Sequence, residues 1–413
     1  MSLLENPRTL VWRLPRIPRQ VWVVLHRYVG LAIMIFVFNV GITGALLSFN
    51  DELDRFFLGD LGRVTPTGAM IAEPVLLAIV SAAYPDATAE IEGPAADHPT
   101  QAAQFWLEPK GEAALPRDEV FVNPYTGQIL GDRKWGEIHL DGRHFMPMVY
   151  RLHYALLVQD WDGWGFWVMG IVSLLWAFDH VASLILSIPR NGPFWKAMTV
   201  KWRGSAYRIN FDIHRAFGLG MWVIMAMLAL TGASWNATFF GTNVVQYAID
   251  ATTSTTTAAM DRVADRATPL DAPALDMVAA RAAITGTLAA MAYEPQELYV
   301  EYNAAKGAYQ VWARLDAGGT QWLQAALDGN SGQVLALNDP KDRKIGDIIK
   351  DWIYPLHSGQ AFGLVGRILI CLTGIATAVF CVTGFVIWLK KARARAAARK
   401  KALVPRKRLV AAE

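Results

Sequence analysis

Four long apolar stretches punctuate the chain, at residues 21–49, 164–189, 211–239 and 363–389. A helix needs about 20 apolar residues to cross a bilayer, so the pattern predicts four transmembrane helices. Residues 50–163 and 240–362 have a different texture, and each predicts a small α+β module. Pro74–Tyr84 and Ala272–Thr285 read as helices. Each precedes alternating strand-like runs: Phe105-Trp-Leu-Glu and Val120-Phe-Val-Asn in the first module, Leu298-Tyr-Val-Glu-Tyr and Tyr309-Gln-Val-Trp in the second. Both modules end in a glycine turn and a strand, Asn123-Pro-Tyr-Thr-Gly127-Gln-Ile-Leu and Asp328-Gly-Asn-Ser-Gly332-Gln-Val-Leu. Glycine suits the tight turn, and the residues after it alternate as an edge strand does. The Thr/Ala-rich stretch 251–267 predicts a loop. Ile138–Leu157 predicts an amphipathic helix on the membrane surface.

The pattern repeats. An offset of 188 carries Leu25-His-Arg-Tyr-Val-Gly-Leu onto Ile213-His-Arg-Ala-Phe-Gly-Leu, and Thr43-Gly-Ala onto Thr231-Gly-Ala. An offset of 204 carries Tyr150-Arg-Leu-His153 onto Tyr354-Pro-Leu-His357, and Gly170-Ile onto Gly374-Ile. The fold class this predicts is an α-helical membrane bundle of four transmembrane helices from a tandem duplication, with one module inserted in each copy.

Charge orients the bundle. Basic residues cluster at 1–20 (Arg8, Arg13, Arg16, Arg19), in the loop 190–210 (Arg190, Lys196, Lys201, Arg203, Arg208) and in the tail 390–413. All three fall on one side of a four-helix topology. The positive-inside rule makes that side the cytoplasm, with both modules opposite, and a topology signal explains the basic tail without nucleic acid. The 53% hydrophobic content and mean hydropathy of +0.23 agree with a membrane protein. The first apolar run is too long for a cleavable signal, so an uncleaved anchor is expected. Cys371 and Cys381 lie ten residues apart in the fourth span, about 15 Å along a helix, too far to bond each other. No CxxCH motif exists for covalent haem, and two thiols are too few for an iron–sulfur cluster.

The segments LHRYVGL…TGALLSF, NPYTGQIL, DGNSGQVL, RLHYALL, PLHSGQAFG and PFWKAM…YRINFDIHRAFGL together resemble the PepSY-associated transmembrane family. The resemblance covers nearly the whole chain. It implies PepSY-like modules in the periplasm of a bacterial inner-membrane protein. It also implies likeness to family members that use two b-type haems to reduce ferric siderophores.

The histidines carry the candidate chemistry. His26 and His214 lie one to two turns inside the cytoplasmic ends of the first and third spans, and His153 and His357 just before the second and fourth. One imidazole from each copy at each face predicts two bis-histidine haem b groups, suited to electron transfer because no coordination site stays open. The competing reading is that the histidines merely satisfy helix ends. Gly30 and Gly218 follow their histidines by four residues and share their face, leaving room for a flat macrocycle. Gly44 and Gly232 follow by 18 residues, about five turns, and either make room for the outer haem or permit close helix packing. Arg27 and Arg215 are either propionate partners or positive-inside anchors. His180, beside Asp179, breaks the symmetry, because its counterpart is Gly384. It is read as an alternative ligand, a residue supporting the haem, part of a proton or quinol route, or simple packing. His98, His139, His144, Asp51, Glu52 and Asp54 are read as surface groups; the alternative for His139 and His144 is contact with the outer haem or substrate, and for the acids attraction of a cationic substrate.

The leading expectation is a reductase carrying electrons from the cytoplasmic side to Fe(III), held by a siderophore or other chelate. No GxGxxG cradle is evident, so the donor is expected to be a partner, a reduced flavin or the quinol pool. The alternatives are a non-catalytic PepSY protein that binds or regulates peptidases, and a small transporter.

Overall fold

A computed structural model describes residues 17–93, 99–110, 114–158, 163–189, 193–239, 242–270 and 273–403. Arg8, Arg13, Arg16, His98, Arg190 and the end of the basic tail lie outside the described residues. In chain order the elements are α1 (Arg19–Leu47), α2 (Asn50–Leu58), α3 (Glu73–Ala83), β1 (Ala87–Gly93), β2 (Ala103–Pro109), β3 (Glu119–Val122), β4 (Ile129–Arg133), α4 (Gly142–Ala155) and α5 (Trp164–Ser187). They continue as α6 (Ala206–Gly220), α7 (Trp222–Asn236), the two-residue strands β5 (Thr238–Phe239) and β6 (Thr242–Asn243), α8 (Val244–Thr252) and α9 (Met277–Ala290). The last are β7 (Glu297–Asn303), β8 (Ala308–Arg314), β9 (Trp322–Asp328), β10 (Val334–Asn338), α10 (Ile345–Ser358) and α11 (Gly363–Leu403).

Helices α1, α5 and α11 are each long and apolar enough to cross a membrane. The expected third span is not straight. It is broken into α6 and α7, which meet at 67°. The break follows Gly218-Leu219-Gly220, whereas the matching part of α1 reads Gly30-Leu31-Ala32 and runs on unbroken. The second glycine removes the side chain that would hold the helix there. The fourth span overshoots its expected end at 389, because the basic sequence after it continues the helix to Leu403.

The chain divides into two compact units. The first comprises the described parts of Met1–Ile35, Leu175–Ala226 and Val379–Glu413. Arg19 donates to the carbonyls of Leu186 and Ile188, which satisfies the end of α5. Asp212, fully buried on α6, pairs with Arg208 at 2.9 Å and Arg215 at 3.1 Å.

The second unit comprises Phe36–Leu174 and Met227–Ala378 and contains both modules. Each is an antiparallel four-stranded sheet in sequence order, β1-β2-β3-β4 and β7-β8-β9-β10. Leu76, Leu77 and Val80 of α3 pack on Phe105, Val120 and Val122. In the second module Ile284 and Leu288 of α9 pack on Val300, Val311, Leu323 and Leu327. Helix α9 starts later than expected, where the Asp276 carboxylate caps it by accepting the Ala279 N–H; Ala272 lies outside the described residues. The stretch expected as a loop holds the end of α8 and a short 3₁₀ turn, Met260–Arg262. The modules touch: Arg281 pairs with Glu73 at 2.7 Å, and the Glu90 carboxylate accepts the Val300 N–H at 3.1 Å.

Ion pairs fix module one to its helices. The buried Arg133 guanidinium donates to both oxygens of Asp54 on α2 and of Glu119 on β3, and to the Arg143 carbonyl at the start of α4. Arg367 of α11 donates to Glu52 and to the Ser48 carbonyl. Glu52 and Asp54 are therefore held as structural partners. Where α1 and α11 cross, a Cβ on Gly374 would stand 2.5 Å from the Gly41 carbonyl oxygen, so only glycine fits this approach.

Candidate metal centres

Each unit contains one pair of facing histidines. In the first, His26 of α1 and His214 of α6 have ring centroids 6.2 Å apart, with planes at 53°. In the second, His153 of α4 and His357 of α10 have centroids 6.3 Å apart, at 78°. The structure thus brings together all four histidines singled out by the repeats, in the expected pairs.

The four rings are held alike, through Nδ1. His153 Nδ1 donates to Thr43 Oγ1 at 2.8 Å, and His357 Nδ1 to Thr231 Oγ1 at 2.7 Å. His214 Nδ1 donates to Thr383 Oγ1 at 3.0 Å, and His26 Nδ1 to the Asp179 carboxylate at 2.8 Å. The direction follows from the threonines. Each spends its single hydroxyl hydrogen on a carbonyl of its own helix, Thr43 on Asn39, Thr231 on Met227 and Thr383 on Phe380. Toward the imidazole it is therefore an acceptor. A neutral ring with its hydrogen on Nδ1 keeps its lone pair on Nε2, the form that binds a metal. Burial pushes His153 down to about 4 and His357 down to about 3, so both rings are neutral near pH 7.

The surrounding backbone is fixed as well. Asn39 donates to the Leu152 carbonyl at 3.0 Å and Asn236 to the Tyr154 carbonyl at 2.7 Å, on either side of His153 in the last turn of α4. Trp235 meets the His357 ring edge-on at 5.1 Å, and Phe380 meets the His214 ring at 5.9 Å.

The glycines divide into two groups. A Cβ on Gly30 or Gly218 would meet none of the described residues within 4 Å beyond its own helix backbone. A Cβ on Gly44 would lie 3.2 Å from His153 Cε1, and one on Gly232 would lie 3.8 Å from His357 Cε1. The room left by Gly44 therefore goes first to the His153 imidazole, while at Gly232 the Ser173 hydroxyl, 3.5 Å away, is met before the His357 ring. Arg215 is committed to Asp212 and to the carbonyls of Ala197 and Thr199, which makes it a staple of the basic loop. Arg27 lies beside Tyr28, its guanidinium 6.0 Å from the ring centre. His180 stands apart from the pairs. Its Nδ1 donates to the Trp176 carbonyl at 2.7 Å, and its ring packs against Trp176 and Trp222. That arrangement matches a packed, supporting residue better than a ligand.

His139 and His144 line a separate cleft of about 880 Å³ on module one, with Phe57, Arg133 and Asp141. His144 donates to Asp141 at 2.8 Å. The histidine partners Asp179, Thr43, Thr231 and Thr383 escape the sequence reading. The signal was present, since Thr43 and Thr231 share the repeated Thr-Gly-Ala, and an offset of 204 carries Asp179 onto Thr383.

The profile of the PepSY-associated TM region matches residues 23–391. The chain belongs to this family. The match begins just before His26 and ends beyond Thr383, so both histidine pairs and their four Nδ1 partners are part of the PepSY-associated region. No curated protein matches the chain.

Proposed function

We propose that the protein is a haem b reductase of the bacterial inner membrane, carrying electrons from the cytoplasmic side to periplasmic Fe(III) held by a siderophore or similar chelate. The observation that carries this reading is the pair spacing combined with the tautomer. Two imidazoles bound through a ring nitrogen about 2.0–2.1 Å from a shared metal would have centroids about 6.3 Å apart. The two pairs stand at 6.2 and 6.3 Å. Among the described residues no group of three or more His, Cys, Asp or Glu is placed to hold a bare metal ion. A pair of facing imidazoles would suit an iron whose other ligands come from a macrocycle. The open side of Gly30 and Gly218 fits a flat group lying against the backbone beside His26 and His214.

In this reading His26 and His214 would hold one haem b and His153 and His357 the other, and these groups would supply one-electron redox chemistry that side chains lack. The protein's part would be to hold each ring through its Nδ1–H, so that Nε2 keeps its lone pair for the iron. The donor is a partner protein, a reduced flavin or the quinol pool. The basic segments orient the His26/His214 pair toward the cytoplasm.

The test is a spectrum of the purified full-length protein. Dithionite reduction should give b-type haem bands with about two haems per chain. His153→Ala or His357→Ala should remove one haem, and His26→Ala or His214→Ala the other. A colourless protein, or full haem content in all four variants, would overturn the proposal.

A further inference from the structure

The four histidines are held by four acceptors that the duplication should make equivalent in pairs. An offset of 188 relates Thr43 to Thr231, and an offset of 204 relates Asp179 to Thr383. Three of the four are threonine hydroxyls, and one is a carboxylate. The difference falls within the His26/His214 pair. His26 donates to Asp179 Oδ2 at 2.8 Å and Oδ1 at 3.0 Å, while His214 donates to the Thr383 hydroxyl. Orientation does not require a carboxylate, because a threonine does the same work at the other three positions. Charge in that place does need another explanation. Asp179 is only 9% exposed at its side chain, so little solvent screens it. An ionised side chain in an apolar helix is costly and is kept for a role.

We propose that Asp179 sets the redox order of the two centres, by making the His26/His214 iron the lower in potential. This rests on the haem reading above. Two effects act in the same direction. A carboxylate accepting the Nδ1–H makes the imidazole a more basic ligand, which favours the ferric over the ferrous ion. The buried negative charge also stabilises the extra positive charge of the ferric state. The His153/His357 iron, held through two hydroxyls, gains neither. An electron given up by a reduced flavin or quinol and entering at His26/His214 then runs downhill to His153/His357. It ends on chelated Fe(III), which becomes Fe(II). No bond within the protein is made or broken, and the His26 Nδ1 proton stays on the ring. Asp179 is a positioning residue that acts through His26.

The experiment is a potentiometric titration of the full-length, haem-loaded protein, followed by absorbance. Wild-type protein should titrate in two one-electron steps. Asp179→Asn keeps an oxygen that accepts from Nδ1 and removes the charge. Asp179→Thr installs the group found at the duplicated position and guards against a folding defect. In both, the lower step should move up by a factor of ten or more in its equilibrium constant, about 59 mV for one electron, while the upper step stays put. In a His357→Ala background the one remaining step should be the lower one, and Asp179→Asn should move it equally. Two haems with neither step moved would overturn the inference and leave the haem reading standing. Movement of the upper step alone, or loss of one haem from both variants, would also overturn it. Wild-type protein without haem would defeat the haem reading itself.

Discussion

Thr43 and Thr231 each turn a lone pair toward an imidazole while their hydrogen stays on their own helix. Replacing either by valine keeps the shape and removes the acceptor. The stranded Nδ1–H then costs about 1–3 kcal/mol, or the ring turns away. On the proposed haem ligation, Thr231→Val should weaken haem retention at the His153/His357 site by about 10–100-fold, with Thr231→Ser restoring it; haem content after dilution reads the effect. Histidines are rare in apolar helices, and their repetition made them legible from sequence alone. Their partners were not, because threonine in such a helix commonly bonds its own backbone. These threonines do that too, and the second bond becomes visible only when α4 and α10 are seen beside them. Asp179 was read as a companion of His180, but its carboxylate serves His26 on another helix.

Among the elements, β4 shows how the first module is held. Arg133 is 2% exposed and Glu119 is 1% exposed at the side chain, so neither finds water if the other is lost. Arg133→Ala should cost about 3–5 kcal/mol, read as lower thermal and proteolytic resistance of the module. Arg117→Ala, at a half-exposed pair with Asp132, should cost about 0–1 kcal/mol. On α10, burial, opposed by Arg343, pushes the Asp351 carboxyl up to about 6, against about 3.9 in an unfolded chain. The folded protein then holds a proton that the unfolded chain has lost. The stability this contributes is complete below about pH 4 and disappears as pH rises through 6. Asp351→Asn should flatten that stretch of the melting-temperature profile. Gly374→Ala should force α1 and α11 apart and lower thermal stability, since its methyl would meet backbone. The strands β2, β3, β4, β7, β8 and β10 were legible from alternation and turn glycines. Strands β1 and β9 were not: Ala-Thr-Ala-Glu-Ile-Glu-Gly and Trp-Leu-Gln-Ala-Ala-Leu-Asp lack β-branched runs, and pairing with β2 and β8 makes them strands. The bend between α6 and α7 depends on one glycine against one alanine, too small a difference to read from apolar length.

At the scale of the whole molecule, membrane character follows from length and apolarity, and no fold detail was needed to see it. The internal repeat was legible because it left matching words in the sequence. Less legible was how labour is divided between the copies. Each histidine takes its Nδ1 partner from its own half of the chain: His26 from Asp179, His153 from Thr43, His214 from Thr383, His357 from Thr231. Each facing imidazole comes from the other half. One half by itself therefore carries two fully prepared but solitary rings. A gene severed within the loop at 190–210 should yield two polypeptides that are useless apart and whole when produced together. A forebear made of one half, meeting its own twin, would already have closed both pairs.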